Sequence, residues 1–505
     1  MGAPRDERLR RKILFLIPTL ASGGTERQAA ELVRRLDRER FEPLVAVIYG
    51  FDRVPVEIPL GGARLVSLRK PLGKPGNLVA LFRLWRLILR ERPAVVQSFL
   101  RPADLYARIA GTLAFHPRIV TSLRTRIGGF WSAPWQWVER ILWRRSACII
   151  SNSKVAADEA RTLLGIPAAR LKVIPNGVDL ERFHPDLDWR EPRRSLGLSP
   201  SDLVFGMIAR YSPVKDHETL LTAVAQMKRS GYWPAFGKVI LVGGTTFEDA
   251  RRKVEAGIRE NGLEGVVVPM GVMADVERAY AALDWLILPS RFEGFPNSVL
   301  EAMACAKPVI LSDAANAERI VVDGETGWEF PAGDVLELVA CLRRAIAVPP
   351  ESRVAMGRAA RSLVEGQYSA RLTARKYESL YAELCGLAWP SCTTPIRSTA
   401  GRCSSCCGGG MPCGFSSSTR IRPSCRRIPS PSAPGGFRRC RISSSRRRWK
   451  ANCSPPTGAS RSMSCWPRSP PPFPRWPPDG PHGGWGGRTW CSAASGIRRA
   501  IRAAR

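Results

Sequence analysis

Trp285-Leu286-Ile287-Leu288-Pro289-Ser290-Arg291-Phe292-Glu293-Gly294-Phe295-Pro296-Asn297-Ser298-Val299-Leu300-Glu301 is the stretch from which the rest can be read. Its first four residues are apolar without alternation, the pattern of a strand buried on both faces. A glycine-containing loop follows Pro289. Asn297 is then suited to cap a helix. A strand, a short loop and a helix in that order form half of a βαβ unit and predict a parallel sheet. Exposed N–H groups at the start of such a helix favour phosphate oxygens. Glu293 in the loop and Glu301 in the first turns of the helix are placed to accept hydrogen bonds from sugar or ribose hydroxyls.

The same unit recurs in both directions. Lys12–Pro18, Pro43–Tyr49, Ala94–Ser98, Arg118–Ser122 and Ala147–Ser151 read as buried strands, with helical patterns such as Glu26–Leu36 and Leu78–Arg90 between them. A polar, proline-containing stretch, His184 to Pro200, interrupts the alternation. It restarts with Leu203–Ala209, Lys238–Val242, Val266–Pro269, Trp285–Pro289 and Pro308–Ser312. The fold class is therefore α/β, with two facing Rossmann-like, doubly wound domains. We place them at 1–183 and 201–365, with a linker at 184–200 and closing helices at 366–388. In open α/β sheets ligands lie at the carboxyl ends of the strands, so the expected site is the cleft between the domains.

Two further segments lie at carboxyl ends of strands. Ala21-Ser22-Gly23-Gly24-Thr25-Glu26 follows the first strand. Paired glycines permit close backbone approach, and Thr25 and Gln28 have capping-box spacing. Ala29, Leu32, Val33 and Leu36 supply the apolar face of the helix. The segment lacks the GxGxxG pattern of a dinucleotide site, and it also fits a plain strand-to-helix turn. Arg210 and Lys215, after Leu203–Ala209, suit a diphosphate clamp or ordinary surface charge.

Taken in order, these elements resemble the retaining glycosyltransferases of family 4, which have the GT-B fold. The resemblance covers about residues 11–385. It rests on Gly23-Gly24-Thr25-Glu26; Val173-Ile174-Pro175-Asn176-Gly177-Val178-Asp179 with Phe183; Arg210 with Lys215; Val242-Gly243-Gly244; Asp284 before Pro289-Ser290; and Glu293 with Glu301. Tyr368 to Leu384 resembles the family's closing helices, which cross back to the first domain. The resemblance implies a nucleotide-diphosphate sugar donor, a glycan or lipid-linked acceptor and no bound metal or other cofactor. Arg210 and Lys215 would contact the diphosphate. Glu293 and the backbone around Gly294, Phe295, Asn297 and Ser298 would hold the sugar. Glu301 would accept from the ribose, and Gly23 and Gly24 would approach the diphosphate from the first domain. Many relatives carry His where this chain has Gln97, so Gln97 is assigned to the acceptor side as a hydrogen-bonding group, not a base. Where many relatives have Gly-Gly, this chain has Ala314-Ala315-Asn316. Another nucleotide-sugar chemistry on this scaffold, such as epimerisation, remains a second reading.

No metal-ligand spacing links His116, His184, His217 and His482, and Asp186-Leu187-Asp188 sits in the linker without a preceding strand. No apolar run reaches the ~18 residues of a membrane span. A cytoplasmic protein is expected, because the four cysteines before residue 388 are widely scattered. Leu78–Arg90, together with Trp131, Trp135, Trp137 and Trp143 near Arg140, Arg144 and Arg145, suggests peripheral contact with the inner face of a membrane.

Of the 505 residues, 389–505 form a separate compositional class. They hold 20 Arg, one Lys and one acid, and therefore +20 of the formal net charge of +33, together with 10 of the 14 cysteines. This low-complexity basic tail is expected to be disordered. Its composition is also what off-frame translation of GC-rich DNA would give. A basic binding function through the tail is a third reading, but no specific nucleic-acid partner is expected.

Overall fold

The computed structural model describes residues 10–21, 23–50, 58–73, 75–128, 131–245 and 248–387. The basic tail lies outside the described residues, as does Ser22 in the first glycine segment.

The first lobe carries strands β1 (Arg11–Ile17), β2 (Phe41–Val47), β3 (Arg64–Ser67), β4 (Val95–Ser98), β5 (Ile119–Leu123), β6 (Cys148–Ser151) and β7 (Leu171–Val173). Its helices are α1 (Gly24–Arg35), α2 (Pro75–Glu91), α3 (Arg101–Leu113), α4 (Ala133–Leu142) and α5 (Lys154–Leu164). The second lobe carries β8 (Leu203–Ile208), β9 (Gly237–Val242), β10 (Val267–Gly271), β11 (Trp285–Leu288), β12 (Val309–Ser312) and β13 (Gly327–Phe330). Its helices are α6 (Arg190–Ser195), α7 (His217–Arg229), α8 (Glu248–Glu260), α9 (Val276–Ala282), α10 (Asn297–Ala304), α11 (Val335–Ala347) and α12 (Pro350–Gln367), and α13 (Ala370–Cys385) ends the described chain.

Both sheets are parallel, with orders β3-β2-β1-β4-β5-β6-β7 and β10-β9-β8-β11-β12-β13. Each order reverses once, between β1 and β4 and between β8 and β11. Chain leaving neighbouring strands there turns to opposite faces and leaves a crevice. The β1–α1, β8–α7 and β11–α10 loops all lie at these reversals, so the topology alone brings the glycine pair, Arg210 with Lys215, and the Glu293 loop to the two crevices.

The expected central strands are present to within about two residues. The sequence reading missed β3, β7 and β13, all at sheet edges, where the runs are short or partly exposed. The stretch read as a linker carries a helix and core residues of its own. Residues 184–200 include α6, and Leu198 belongs to the core of the second lobe, with Leu187 and Leu196 packed against it. Arg193 is buried there because it has enough partners: it donates to Asp284 at 2.8 Å and to the carbonyls of Ala282, Pro200 and Asp202 at 3.0 Å. Asp188 accepts from the Arg190 N–H at 3.0 Å, so it serves the start of α6.

The chain passes between the lobes at 174–178 and again at 367–370. These crossings pair, Val178 N–H donating to Tyr368 O at 2.8 Å and Ala370 N–H to Val178 O at 2.9 Å. After the second crossing α13 returns to the first lobe, as the family resemblance implied. There Tyr377, Leu380 and Tyr381 join the core that contains Phe15 and Ile17 of β1, Phe41 of β2, Val120 of β5 and Ile150 of β6. Gly177 makes the close crossing feasible, since a Cβ on it would stand 2.6 Å from Ala370 Cα and 2.7 Å from Thr373 Oγ1. We expect Gly177→Ala to destabilise the protein by about 1–3 kcal/mol through overpacking. Thermal denaturation checks this, and an unchanged midpoint would mean that the crossings can separate freely.

Candidate active site

Arg210 follows β8 and is exposed. Its guanidinium has no hydrogen-bond or ion-pair partner among the described residues, although its charge reaches Glu26 of the first lobe. Lys215 ends a turn of 3-10 helix, Pro213–Lys215, before α7. Its ammonium contacts Glu293 Oε1, which also accepts from Ser290 Oγ at 2.8 Å. The β8–α7 and β11–α10 loops are thus joined by a partly buried ion pair. Asp216, buried and at φ +52°, reinforces the junction by accepting from Thr219 Oγ1 at 2.7 Å and from Arg291 Nε at 2.9 Å. His217 stacks on Tyr211 with ring centroids 5.0 Å apart. Burial and then the neighbouring Lys215 lower its pKa to about 4, so it packs as a neutral ring.

The glycines of Val242-Gly243-Gly244 brace the same loop. A Cβ on Gly243 would stand 2.1 Å from Ala209 O, and Gly244 O accepts from Tyr211 N at 2.9 Å. Asp284 instead lies at the opposite end of β11, paired with Arg193 and Arg353 and accepting from Val204 N at 2.8 Å. Its place is structural.

At the start of α10, Pro296 occupies the N-cap position and makes no side-chain cap bond. This corrects the expectation that Asn297 caps the helix. Asn297 is the first helical residue, and its side chain spans the lobes: Oδ1 accepts from Asn176 Nδ2 at 2.7 Å, and Nδ2 points to Gly24 O at 3.4 Å. The N–H groups of Asn297, Ser298 and Val299 have no acceptor among the described residues. They are directed donors at the positive end of a helix. The Phe295 side chain is buried in the lobe core against Tyr368, so only its backbone borders the loop. A Cβ on Gly294 would stand 2.8 Å from Arg124 O, so the lobes approach closely there as well.

Glu301 is half-buried, and its Oε2 accepts from the Tyr280 hydroxyl at 2.7 Å. Burial raises its pKa, opposed by that hydrogen bond and by Arg27 and Arg182. Arg27 lies on α1, so the first lobe contributes positive potential to this carboxylate. Its Oε1 has no hydrogen-bond partner among the described residues.

The β1–α1 turn departs from expectation in one respect. Thr25 and Gln28 do not form a capping box, because Gly23 is the N-cap. The Gln28 amide is used elsewhere, donating to Gly177 O at 2.7 Å and accepting from Gly177 N at 3.0 Å. Glu26 folds back over the start of α1, accepting from Thr19 Oγ1 at 3.4 Å, and a Cβ on Gly23 would stand 2.1 Å from its Oε2. Gly24 faces Asn297 across the cleft, with a hypothetical Cβ 2.9 Å from Nδ2.

Gln97 is fully buried, donating to Ser122 Oγ at 2.9 Å and accepting from the Tyr381 hydroxyl at 3.2 Å. Its placement is that of a core amide, which leaves the acceptor-side expectation without a surface to act on. Sequence reasoning also overlooked Arg124, after β5. It donates to Asn176 Oδ1 at 2.9 Å and Tyr377 Oη at 2.7 Å and lies over Phe99, 4.9 Å from the ring centroid. The rule that singled out Arg210, a cation just beyond the carboxyl end of a strand, would have found it.

A family model described as "Glycosyltransferase Family 4" matches residues 22–182, and one described as "Glycosyl transferases group 1" matches 202–347. A D-inositol 3-phosphate glycosyltransferase of Actinosynnema mirum is 34% identical over 213 residues, which are 41% of this chain and 51% of that protein. The chain thus spans about half the length of that relative. The putative glycosyltransferase EpsF of Bacillus subtilis is 25% identical over 320 residues, 60% of this chain and 79% of EpsF. Among solved structures, Alr3699/HepE of Anabaena in complex with UDP and glucose superposes with a TM-score of 0.65 at 24% identity, covering 74% of this chain and all of that one. A sucrose-phosphate synthase of Thermosynechococcus elongatus gives 0.63 at 20% identity, covering 75% of this chain and all of the other. With both lobes matched in order and the two reversed sheets facing one cleft, the chain belongs to the family 4, group 1 glycosyltransferases and has the GT-B fold.

Proposed function

We propose that this chain is a retaining glycosyltransferase that moves a sugar from a nucleoside-diphosphate donor to a glycan or lipid-linked acceptor, in the synthesis of a surface polysaccharide or glycolipid. One observation carries the reading. The unpartnered Arg210, the Lys215–Glu293 pair and the uncapped N–H groups of α10 converge at one crevice, with Gly24 opposite. A diphosphate offers the charge and acceptor atoms that these donors lack. The family membership and the UDP and UDP-glucose complexes of HepE support the same donor class.

In this mechanism the bond between the anomeric carbon and the β-phosphate oxygen breaks, and the acceptor oxygen bonds to that carbon on the same face. Arg210 and Lys215 stabilise the charge developing on the departing diphosphate. The acceptor hydroxyl proton passes to the leaving phosphate oxygen. Glu293 is engaged by Lys215 and Ser290, which favours a role in holding the sugar over one as a covalent nucleophile. Glu301 Oε1 accepts from the ribose. The chemistry requires no metal. We expect Lys215→Ala to lower kcat/KM for the donor about 100-fold or more and Glu301→Ala about tenfold. Initial rates at subsaturating donor decide: wild-type rates in both variants would overturn the site.

We further propose that the first lobe docks on the inner face of a membrane. No described helix is long and apolar enough to cross one. On α2, Leu78 and Phe82 are exposed among Arg83, Arg86 and Arg90, and Trp135, Trp137 and Ile141 are exposed on α4. Trp131 and Trp143, expected at the same surface, are instead core residues of the lobe. Substituting both Phe82 and Trp137 by Ser should weaken binding to phosphatidylglycerol vesicles about tenfold or more. Sedimentation in about 0.5 M salt, where charge attraction is screened, measures this apolar share, and equal binding by wild type and variant would overturn it.

A further inference from the structure

The first turn of α5, in the first lobe, is capped from the second lobe. Glu318, in the loop after β12, places Oε1 2.7 Å from Ser153 Oγ and 2.9 Å from Val155 N, and Oε2 2.9 Å from Lys154 N. Ser153 Oγ in turn accepts from Ala156 N at 3.0 Å. Two of the N–H groups that every helix leaves without an internal partner are therefore satisfied by a carboxylate from the other side of the cleft. Hydrogen bonds to a charged acceptor are among the stronger ones, and a negative group at a helix N-terminus is favoured further. Other contacts between the lobes include the long Asn297–Gly24 approach, the Asn176–Asn297 amide pair, Arg126 over Phe292 at 5.2 Å and, beside the crossing, the Arg35–Asp179 ion pair at 2.8 Å.

The other end of the Glu318 loop reaches the cation cluster. Ser312 Oγ donates to Ser290 O at 2.5 Å, and Ser290 Oγ donates to Glu293, which holds Lys215. Asn316 stiffens the loop between these ends. Its Nδ2 donates to Val321 O at 2.9 Å and to Glu329 Oε2 at 2.5 Å, and its Oδ1 accepts from Val321 N at 3.0 Å. These bonds make the segment Ala314-Ala315-Asn316 a brace.

We infer that Glu318 is a positioning residue: its carboxylate latches the second lobe onto α5, and through the 312–318 loop cleft closure sets the placement of Ser290, Glu293 and Lys215. The consequence for donor use rests on the donor-site reading above, but the latch itself does not. Hydrogen exchange on the full chain tests it without any substrate. In Glu318→Ala the Lys154 and Val155 amides should exchange about tenfold faster, with Glu318→Gln intermediate. Tryptic cleavage after Arg126, beneath Phe292, should accelerate in the same order, because the lobes part. Donor KM should rise about tenfold with kcat at saturation nearly kept. Unchanged exchange at Lys154 and Val155 overturns the inference. So does faster exchange confined to α5 with cleavage after Arg126 unchanged, since Glu318 would then be only a local helix cap. If exchange and proteolysis respond but no nucleotide sugar is used, the latch stands and the donor assignment falls.

Discussion

Two backbone hydrogen bonds, Val178 N–H to Tyr368 O and Ala370 N–H to Val178 O, hold the outgoing and returning crossings together. The relation between the lobes depends on them. Each lobe has its own sheet and its own core, so neither needs the other to bury its apolar residues. Had the crossings been separate, the two crevices at the strand-order reversals could face in any direction. Paired, and with Gly177 held by both ends of the Gln28 amide, they tie the start of α1 to the start of the second lobe. That is why Gly24 meets Asn297 and not some other part of α10.

The parts of this fold legible in the sequence are those decided by local burial. Ile13 to Ile17, Val204 to Met207 and Leu286 to Leu288 are buried without interruption, and a strand covered on both faces has to be apolar throughout. Edge strands escape that requirement. Leu171-Lys172-Val173 is half open to solvent, and nothing in its pattern separates it from a loop. The 184–200 stretch misleads for a related reason. Its charges look solvated, yet Arg193 is buried because four acceptors from other segments surround it. Such compensation is invisible until the chain is folded.

The same limit explains the errors near the site. Capping rules describe a side chain and the helix beside it. Gln28 and Asn297 obey those rules in spacing, but their amides bond residues 149 and 121 positions away in sequence. Asn176 was visible as part of a motif, though its function as the link between Arg124 and Asn297 was not. Gln97 was assigned to the acceptor side only because many relatives carry His there; in this chain α13 covers it and supplies Tyr381 as its partner. Arg210 and Lys215 stood out by their position after β8, because a strand's carboxyl end is where parallel α/β topology leaves a ligand room, but spacing alone did not separate them from ordinary surface charge.

Charge compensation in the cleft gives these placements a chemical direction. Lys215 is paired with Glu293, Arg291 with Asp216, Arg126 with Glu159 and Arg182 with Glu277. Arg210 and Arg27 donate no hydrogen bond to a described residue. Their charges reach the carboxylates across the cleft, Arg210 to Glu26 and Arg27 to Glu301, while the Lys215 ammonium has donors left beyond its bond to Glu293. The two cleft carboxylates that burial has raised, Glu26 and Glu301, lie where full negative charge is least well solvated. Glu26 also covers the start of α1, so an anion approaching Gly24 encounters a carboxylate there, while the donors of α10 opposite are unencumbered. Electrostatics thus divides the two helix starts, which topology makes equivalent: α10 presents N–H groups with no acceptor among the described residues, and α1 starts beneath a carboxylate.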